Sequence, residues 1–326
     1  HSHFIDNLAP LVDYHQLNGL AVKVTDVAAV YRRYSGGVVD ATAIQQYIRD
    51  MYATHGTQYV LLVGGDSYDY HNNLGLGSIS LVPTLYRPTS QVLAFTPSDQ
   101  SYADVDGDLR PDLAIGRLPA RTHAELQAMI GKTIDYAGKA YQSEALFAAG
   151  PFSEGVAFDT QSDALIDALP DHWIVDRAYL DQLPSAAARQ TIINRINQGL
   201  AFTGYTGHAA ASVWNFPDVL MGLNDVSSLQ NEGRPTVVAQ FSCWNSYFVD
   251  PYQNTIALRF LNEGDHGAAA VMGSTGLSQV ESNQLLGNRL MPLLAIPGTT
   301  VGDAVMMALD SLGSTHPGQT DVLLGF

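Results

Sequence analysis

Cysteine is almost absent from this chain. Cys243 is the only one in 326 residues, so no internal disulfide can form and stability must come from a packed core or a bound ion such as calcium. Positive charge is scarce as well: 16 Lys and Arg stand against 32 Asp and Glu, a formal net charge of −16. Such a surface repels nucleic acid and anionic membranes and leaves cations or polypeptides as partners. No apolar run approaches the roughly 18–20 residues of a membrane-spanning helix, and there is no tandem repeat or low-complexity tract. What remains is globular in character, with 46% hydrophobic and 15% charged residues. The length suits two compact units of roughly 100–200 residues each. The chain opens on His1-Ser2-His3 without methionine or signal segment, which reads as a processed or trimmed end.

Apolar runs alternate with segments of helical period, the pattern of a mainly parallel sheet covered on both faces. Strands are expected at Ala21 to Val27, Tyr59 to Gly65, Asp112 to Arg117, Ala145 to Gly150, Trp173 to Tyr179, Leu200 to His208, Pro235 to Cys243 and Gly267 to Gly273. Asp40 is placed to cap a helix that Gly56 stops, and Thr122 with Glu125 forms a capping box ahead of the stripe Leu126, Met129, Ile130, Ile134 and Ala137. Later helices are expected after Ser185, over Thr255 to Glu263 and over Gln284 to Leu294. The polar stretch from Gly138 to Ser143 divides the chain into units 1–142 and 143–326.

Two of these strands end on chemistry. The run ending at Phe241-Ser242 delivers Cys243, and the run ending at Thr206-Gly207 delivers His208. If the strands are parallel neighbours, thiol and imidazole emerge at one sheet edge. An imidazole raises the thiolate fraction of a cysteine or takes its proton during attack, then reprotonates a leaving amine, so the pair implies acyl transfer. The N–H groups of Ala209 and Cys243 are placed to hold the oxyanion. Spacing alone leaves open that Cys243 is an inert buried thiol and that His208 merely closes a loop.

Several segments together resemble the gingipain-like cysteine peptidases, which have a caspase-like fold. They are Tyr59 to Tyr70, Tyr102 to Pro119, Tyr205-Thr206-Gly207-His208 and Phe241-Ser242-Cys243, in the family's order. The resemblance implies a caspase-like three-layer α/β sandwich of two subdomains, 1–142 and 143–326, the second carrying the dyad. It implies an endopeptidase that cuts polypeptide substrates without an organic cofactor, secreted or held at the cell surface, with a propeptide and a downstream domain. On this reading the chain, which halts at Leu323 to Phe326, is a fragment. The family has glycine after its histidine where this chain has Ala209. A catalytically inactive module for adhesion or secretion-related assembly is the alternative that this departure keeps open.

The resemblance also matches Asp112 with the family's acid near the histidine. A competing reading takes Asp104, Asp106, Asp108 and Asp112, spaced around Gly107, as ligands of a structural calcium ion. The family's first specificity pocket points to the loop Ser274 to Ser282, with Gln279 and Glu281 as its polar candidates, and Trp244 or Trp214 as walls. Acidic Glu281 or Glu125 would favour a basic residue before the cut bond (P1). Other motifs lead nowhere. Gly65-Asp66-Ser67 resembles a lipolytic nucleophile block, but His316 has Gly313 where an aspartate is wanted, Gly64-Gly65 is too short for a phosphate cradle, and His71 and His123 lack metal-ligand spacing.

Overall fold

The computed structural model describes residues 1–139, 141 and 143–326, so Gln142, where the expected division of the chain falls, lies outside the described residues. Asp26 caps helix α1 (Val27–Tyr34) by accepting from Ala28 N, and Asp40 caps α2 (Ala41–His55) in the same way through Thr42 N. Gly56 stops α2 in the left-handed conformation at φ 61°. The strand expected over Ala21 to Val27 does not form. Ala21 to Asp26 precede α1 as irregular backbone, Val27 is its first residue, and Val24 is 42% exposed. Period-two patterning there has no neighbouring strand to pair with, and Asp26 is used as a cap instead.

Strand β1 (Tyr59–Val63) pairs in parallel with β2 (Ala114–Leu118), from Tyr59 against Ala114 to Val63 against Leu118. A long connection between them carries a short antiparallel pair, Leu85–Arg87 with Thr96–Ser98. Helix α3 (His123–Ala137) opens on the expected capping box, with Thr122 Oγ1 accepting from Glu125 N and Glu125 accepting from Thr122 N. Glu125 is thereby committed to the helix end.

A five-stranded parallel sheet follows, formed by β3 (Glu144–Ala149), β4 (Ile174–Tyr179), β5 (Phe202–Thr206), β6 (Thr236–Phe241) and β7 (Ala268–Gly273) in the spatial order β7, β6, β5, β3, β4. Its alternating side chains feed two cores. Ala145, Phe147, Ala149, Phe202 and Val237 pack on one face, beneath α4 (Phe158–Ile166), α7 (Val280–Leu294) and α8 (Val301–Thr315). Leu146, Ala148, Tyr205 and Val238 pack on the other, beneath α5 (Ser185–Gln198) and α6 (Ile256–Asn262). Each fully buried Leu, Val or Phe contributes about 1.5–3 kcal/mol. Pro184, and not Ser185, occupies the cap position of α5. Helices α4 and α8 are not foreseen from sequence; α4 has no side-chain cap, whereas α8 opens on Thr300, whose hydroxyl accepts from Asp303 N. The chain order reverses between β3 and β5, and ligands of open α/β sheets bind beyond the carboxyl ends of strands at such a reversal.

Candidate active site

Strands β5 and β6 are parallel neighbours, with Val237 against Phe202 and Phe241 against Thr206. One residue beyond the last pair stand Gly207 and Ser242, and then His208 and Cys243, so both leave the sheet at one carboxyl edge. Both are half-buried and both line two adjoining pockets, one of about 100 Å³ and one of about 560 Å³. The Cys243 thiol donates to Ser278 O at 3.2 Å, and Ser278 N approaches Sγ at 3.4 Å.

The backbone on either side of the pair is shaped for it. Trp244 takes a left-handed φ of 63°, unusual for a bulky residue, and its N–H donates to Gly276 O at 2.9 Å. That turn lifts the cysteine off the strand. Gly207 is required before the histidine, since a Cβ there would lie 2.6 Å from Tyr205 Oη. Ala209 needs no glycine conformation. It begins a two-residue ribbon, Ala209–Ala210 against Val213–Trp214, and the bond from Asn215 N to His208 O leaves the Ala209 N–H outside the ladder.

A buried polar frame that sequence reasoning misses holds the two loops in register. Trp214 stacks on Tyr205 with centroids 4.9 Å apart, and its Nε1 donates to Gln240 Oε1 at 2.6 Å. Asn245 is fully buried, donates to Ala210 O at 3.0 Å and accepts from Ser242 Oγ. It thus ties the cysteine turn to the ribbon after His208. Nothing in the sequence marks Asn245, Gln240 or Ser278, because each works across a distance that only the fold closes. Trp214 belongs to this buried frame, while Trp244 and Tyr247 line the larger pocket with Ala209.

The remaining expected residues fall elsewhere. Asp112 precedes the entry end of β2, where Oδ2 accepts from Val105 N at 2.8 Å, and it lines neither pocket. Burial, then the charges of Asp106 and Asp104, raise its pKa, and among the described residues it makes no hydrogen bond to His208. Among the described residues no side chain is hydrogen-bonded to the imidazole, which Phe158 meets edge-on at 5.1 Å. Gln279 and Glu281 are exposed and line neither pocket: Gln279 N donates to Asp321 Oδ2, and Glu281 sits in the first turn of α7. Helix α4 supplies Phe158 and Gln161 to the smaller pocket instead.

In the acidic loop, carboxylate oxygens of Asp104, Asp106 and Asp108 lie within 4.8 Å of one another, a hard-oxygen set that fits calcium with three ligands rather than four. The same groups also serve the protein. Asp104 accepts from Gly107, Asp108 and Leu109 N, and Asp108 pairs with Arg110 at 2.6 Å.

The chain is similar in sequence and in fold to known proteins. A sequence model of peptidase family C25 matches residues 1–323. Gingipain R2 of Porphyromonas gingivalis is 25% identical over 259 residues, 75% of this chain but 31% of its own length. The complex of P. gingivalis RgpB pro- and mature domains superposes with a TM-score of 0.79 at 20% identity, covering 99% of this chain and 75% of that one. The Arg-specific cysteine proteinase gingipain R gives a TM-score of 0.78 at 20% identity, over 99% and 73%. The fold is therefore caspase-like, and the chain spans under a third of the length of the curated gingipain it matches.

Proposed function

The chain belongs to peptidase family C25, and from that premise we propose that it is a cysteine endopeptidase in which Cys243 is the nucleophile and His208 its proton acceptor. The observation that carries the reading is the shared carboxyl edge: two neighbouring parallel strands deliver thiol and imidazole to the same pair of pockets. In the reaction Sγ gives up its contact with Ser278 O and passes its proton to His208. The thiolate attacks the peptide carbonyl, and the Ala209 and Cys243 N–H groups hold the oxyanion. Protonated His208 then supplies the leaving amine, and water releases the acyl group from sulfur.

A basic P1 residue is the finer expectation, and the net charge of −16 favours cationic peptides. The acid on the wall of the larger pocket is Asp250. Secretion or surface display, a propeptide and a downstream domain belong to the same proposal. So does a structural calcium ion held by Asp104, Asp106 and Asp108. A catalytically inactive module for adhesion or assembly is the second reading, favoured by the lack of a carboxylate on His208 among the described residues.

A peptidyl probe that alkylates thiols separates the two readings. Cys243 is expected to be labelled, and His208→Ala to slow both labelling and hydrolysis by about 10²–10⁴-fold. Undiminished hydrolysis in Cys243→Ala would overturn the assignment.

A further inference from the structure

The two pockets share only His208 and Cys243, which stand at their boundary. Residues that precede the pair, such as Thr206 and Ser242, line the smaller one, and residues that follow it, such as Ala209 and Trp244, line the larger. The larger, of about 560 Å³, presents apolar side chains to solvent beside the nucleophile: Phe216 is 55% exposed, Leu277 is 40% exposed, and Trp244 and Tyr247 are half-buried. An exposed apolar patch of this kind marks a binding surface, and an apolar group that covers it recovers the transfer free energy the fold forgoes. The wall is held in place before anything binds. Trp244 and Tyr247 meet edge to face at 5.1 Å, and Trp244 N donates to Gly276 O. Gly276 is in turn pressed on the first-sheet hairpin, since a Cβ there would lie 2.9 Å from Thr96, and this sets the position of Leu277. On the far side Asn215 N donates to His208 O and its side chain to Asp218 O at 2.9 Å, which fixes the turn that carries Phe216. Apart from His208, the one ionisable acid or base on the wall is Asp250, whose Oδ1 accepts from Tyr252 N at 2.8 Å.

From this we infer that Phe216, Trp244, Tyr247 and Leu277 form a specificity site for the residue after the cut bond (P1′), and that it takes a bulky apolar side chain, an aromatic one best. The inference rests on the peptidase reading and sharpens its substrate class. The acyl half of the substrate is bonded to Cys243 and keeps the smaller pocket, which the loop Ser274 to Ser282 enters through Ser278 and Val280. The leaving amine takes its proton from His208, so its chain runs on past the imidazole over Ala209 to Ala211, which floor the larger pocket. An aromatic side chain there completes an edge-to-face cluster with Trp244 and Tyr247. A small side chain leaves the wall wet, and a carboxylate meets Asp250, a like charge that discriminates against acidic residues.

Two measurements test it without depending on each other. First, a random peptide library is digested with the unmodified protein and the residues on both sides of each cut are read by mass spectrometry. Phenylalanine, tyrosine, tryptophan or leucine is expected at P1′ at least about tenfold more often than alanine or glutamate, as the burial of several methylene equivalents implies. In the double variant Phe216→Ala with Leu277→Ala, whose side chains are exposed and lie outside the core, that ratio is expected to fall to within about threefold while the preference at P1 persists. Second, Cys243→Ala protein is titrated calorimetrically with N-acetylated hexapeptides that carry a central Arg-X pair, X being phenylalanine, alanine, lysine or glutamate. The phenylalanine peptide is expected to bind at least about tenfold tighter than the alanine and glutamate peptides, and the added double substitution to abolish the difference. Cleavage without an apolar preference at P1′, an aromatic preference at P1 instead, tighter binding of lysine than of phenylalanine, no binding of any peptide, or a preference that survives the double substitution would each overturn the site and leave the peptidase reading to its own test. Phenylalanine-selective binding by a protein that hydrolyses nothing would uphold the site and sink the peptidase reading instead.

Discussion

Gly207 is the position beside the histidine where the backbone admits no side chain. A Cβ there meets Tyr205 Oη at 2.6 Å and Gly150 N at 3.1 Å, and Tyr205 cannot retreat because Trp214 lies stacked against it. Gly207→Ala is accordingly expected to lower urea-unfolding stability by about 1–3 kcal/mol and to reduce kcat, since Tyr205 also donates to His208 O. Ala209→Gly should leave kcat/KM within about threefold and cost no more than about 1 kcal/mol, because Ala209 already lies in extended ribbon. A loss of activity on Ala209→Gly as large as that on Gly207→Ala would refute this account of the turn. Cys243 and His208 were legible in the sequence because each ends an apolar run. Asn245, Ser278 and Asn283 were not, since a single Asn or Ser in a loop has the same local appearance whether it faces solvent or a buried partner.

Helix α3 shows the limit of periodicity. Its stripe Leu126, Met129 and Ile130 is buried as the spacing predicts, yet Lys132, which falls outside that stripe, is only 1% exposed. Its ammonium donates to Phe260 O at 3.1 Å and His266 O at 2.8 Å, at the carboxyl end of α6 and the turn into β7. Burial lowers its pKa to about 8, against which the Asp265 and Glu263 charges act. The folded state therefore holds this proton less tightly than the unfolded chain does. The resulting penalty is constant below about pH 8 and is relieved as pH climbs toward the ordinary lysine range. Unfolding free energy of the native protein, measured relative to Lys132→Met, should rise between pH 8 and 10 by on the order of 1–3 kcal/mol. A difference that stays flat over that interval would show that Lys132 does not titrate there. Elements with a cap and a strong stripe, such as α2 and α3, were readable. The run Ala21 to Val27 misled because alternation makes a strand only where another strand is available to pair with it.

At the scale of the molecule, the two sheets are joined by elements that cross between them. Helix α8, late in the chain, packs on β2 of the first sheet, where Tyr59 Oη donates to Asp303 at 3.0 Å and Arg110 bridges Asp108 to Asp310 at 2.9 Å. The acidic loop is thus fastened to the late helix. Calcium held by Asp104, Asp106 and Asp108 would brace that junction, so adding calcium after chelation should raise Tm by several degrees, and Asp106→Asn should abolish the rise. A Tm indifferent to both chelator and calcium would exclude the ion. Arg117, buried against Asp99 and under the Phe248 ring, makes a second crossing, since Phe248 belongs to the segment after Cys243.

The class of fold and the strands that carry Cys243 and His208 can be read from the sequence, because alternation of apolar strands and amphipathic helices admits few arrangements other than a parallel sheet, whereas the adjacency that brings both residues to one edge is a product of the fold. The sequence also determined that acidic residues gather around Gly107. That Asp112 bonds within that loop, that Gln279 and Glu281 miss the pockets, and that Asn283 and Thr206 line the smaller one are visible only in the folded chain. The physical reason is the same in each case. Which polar groups are satisfied and which are left facing a cavity depends on contacts between residues far apart in the chain, and local pattern carries no record of them.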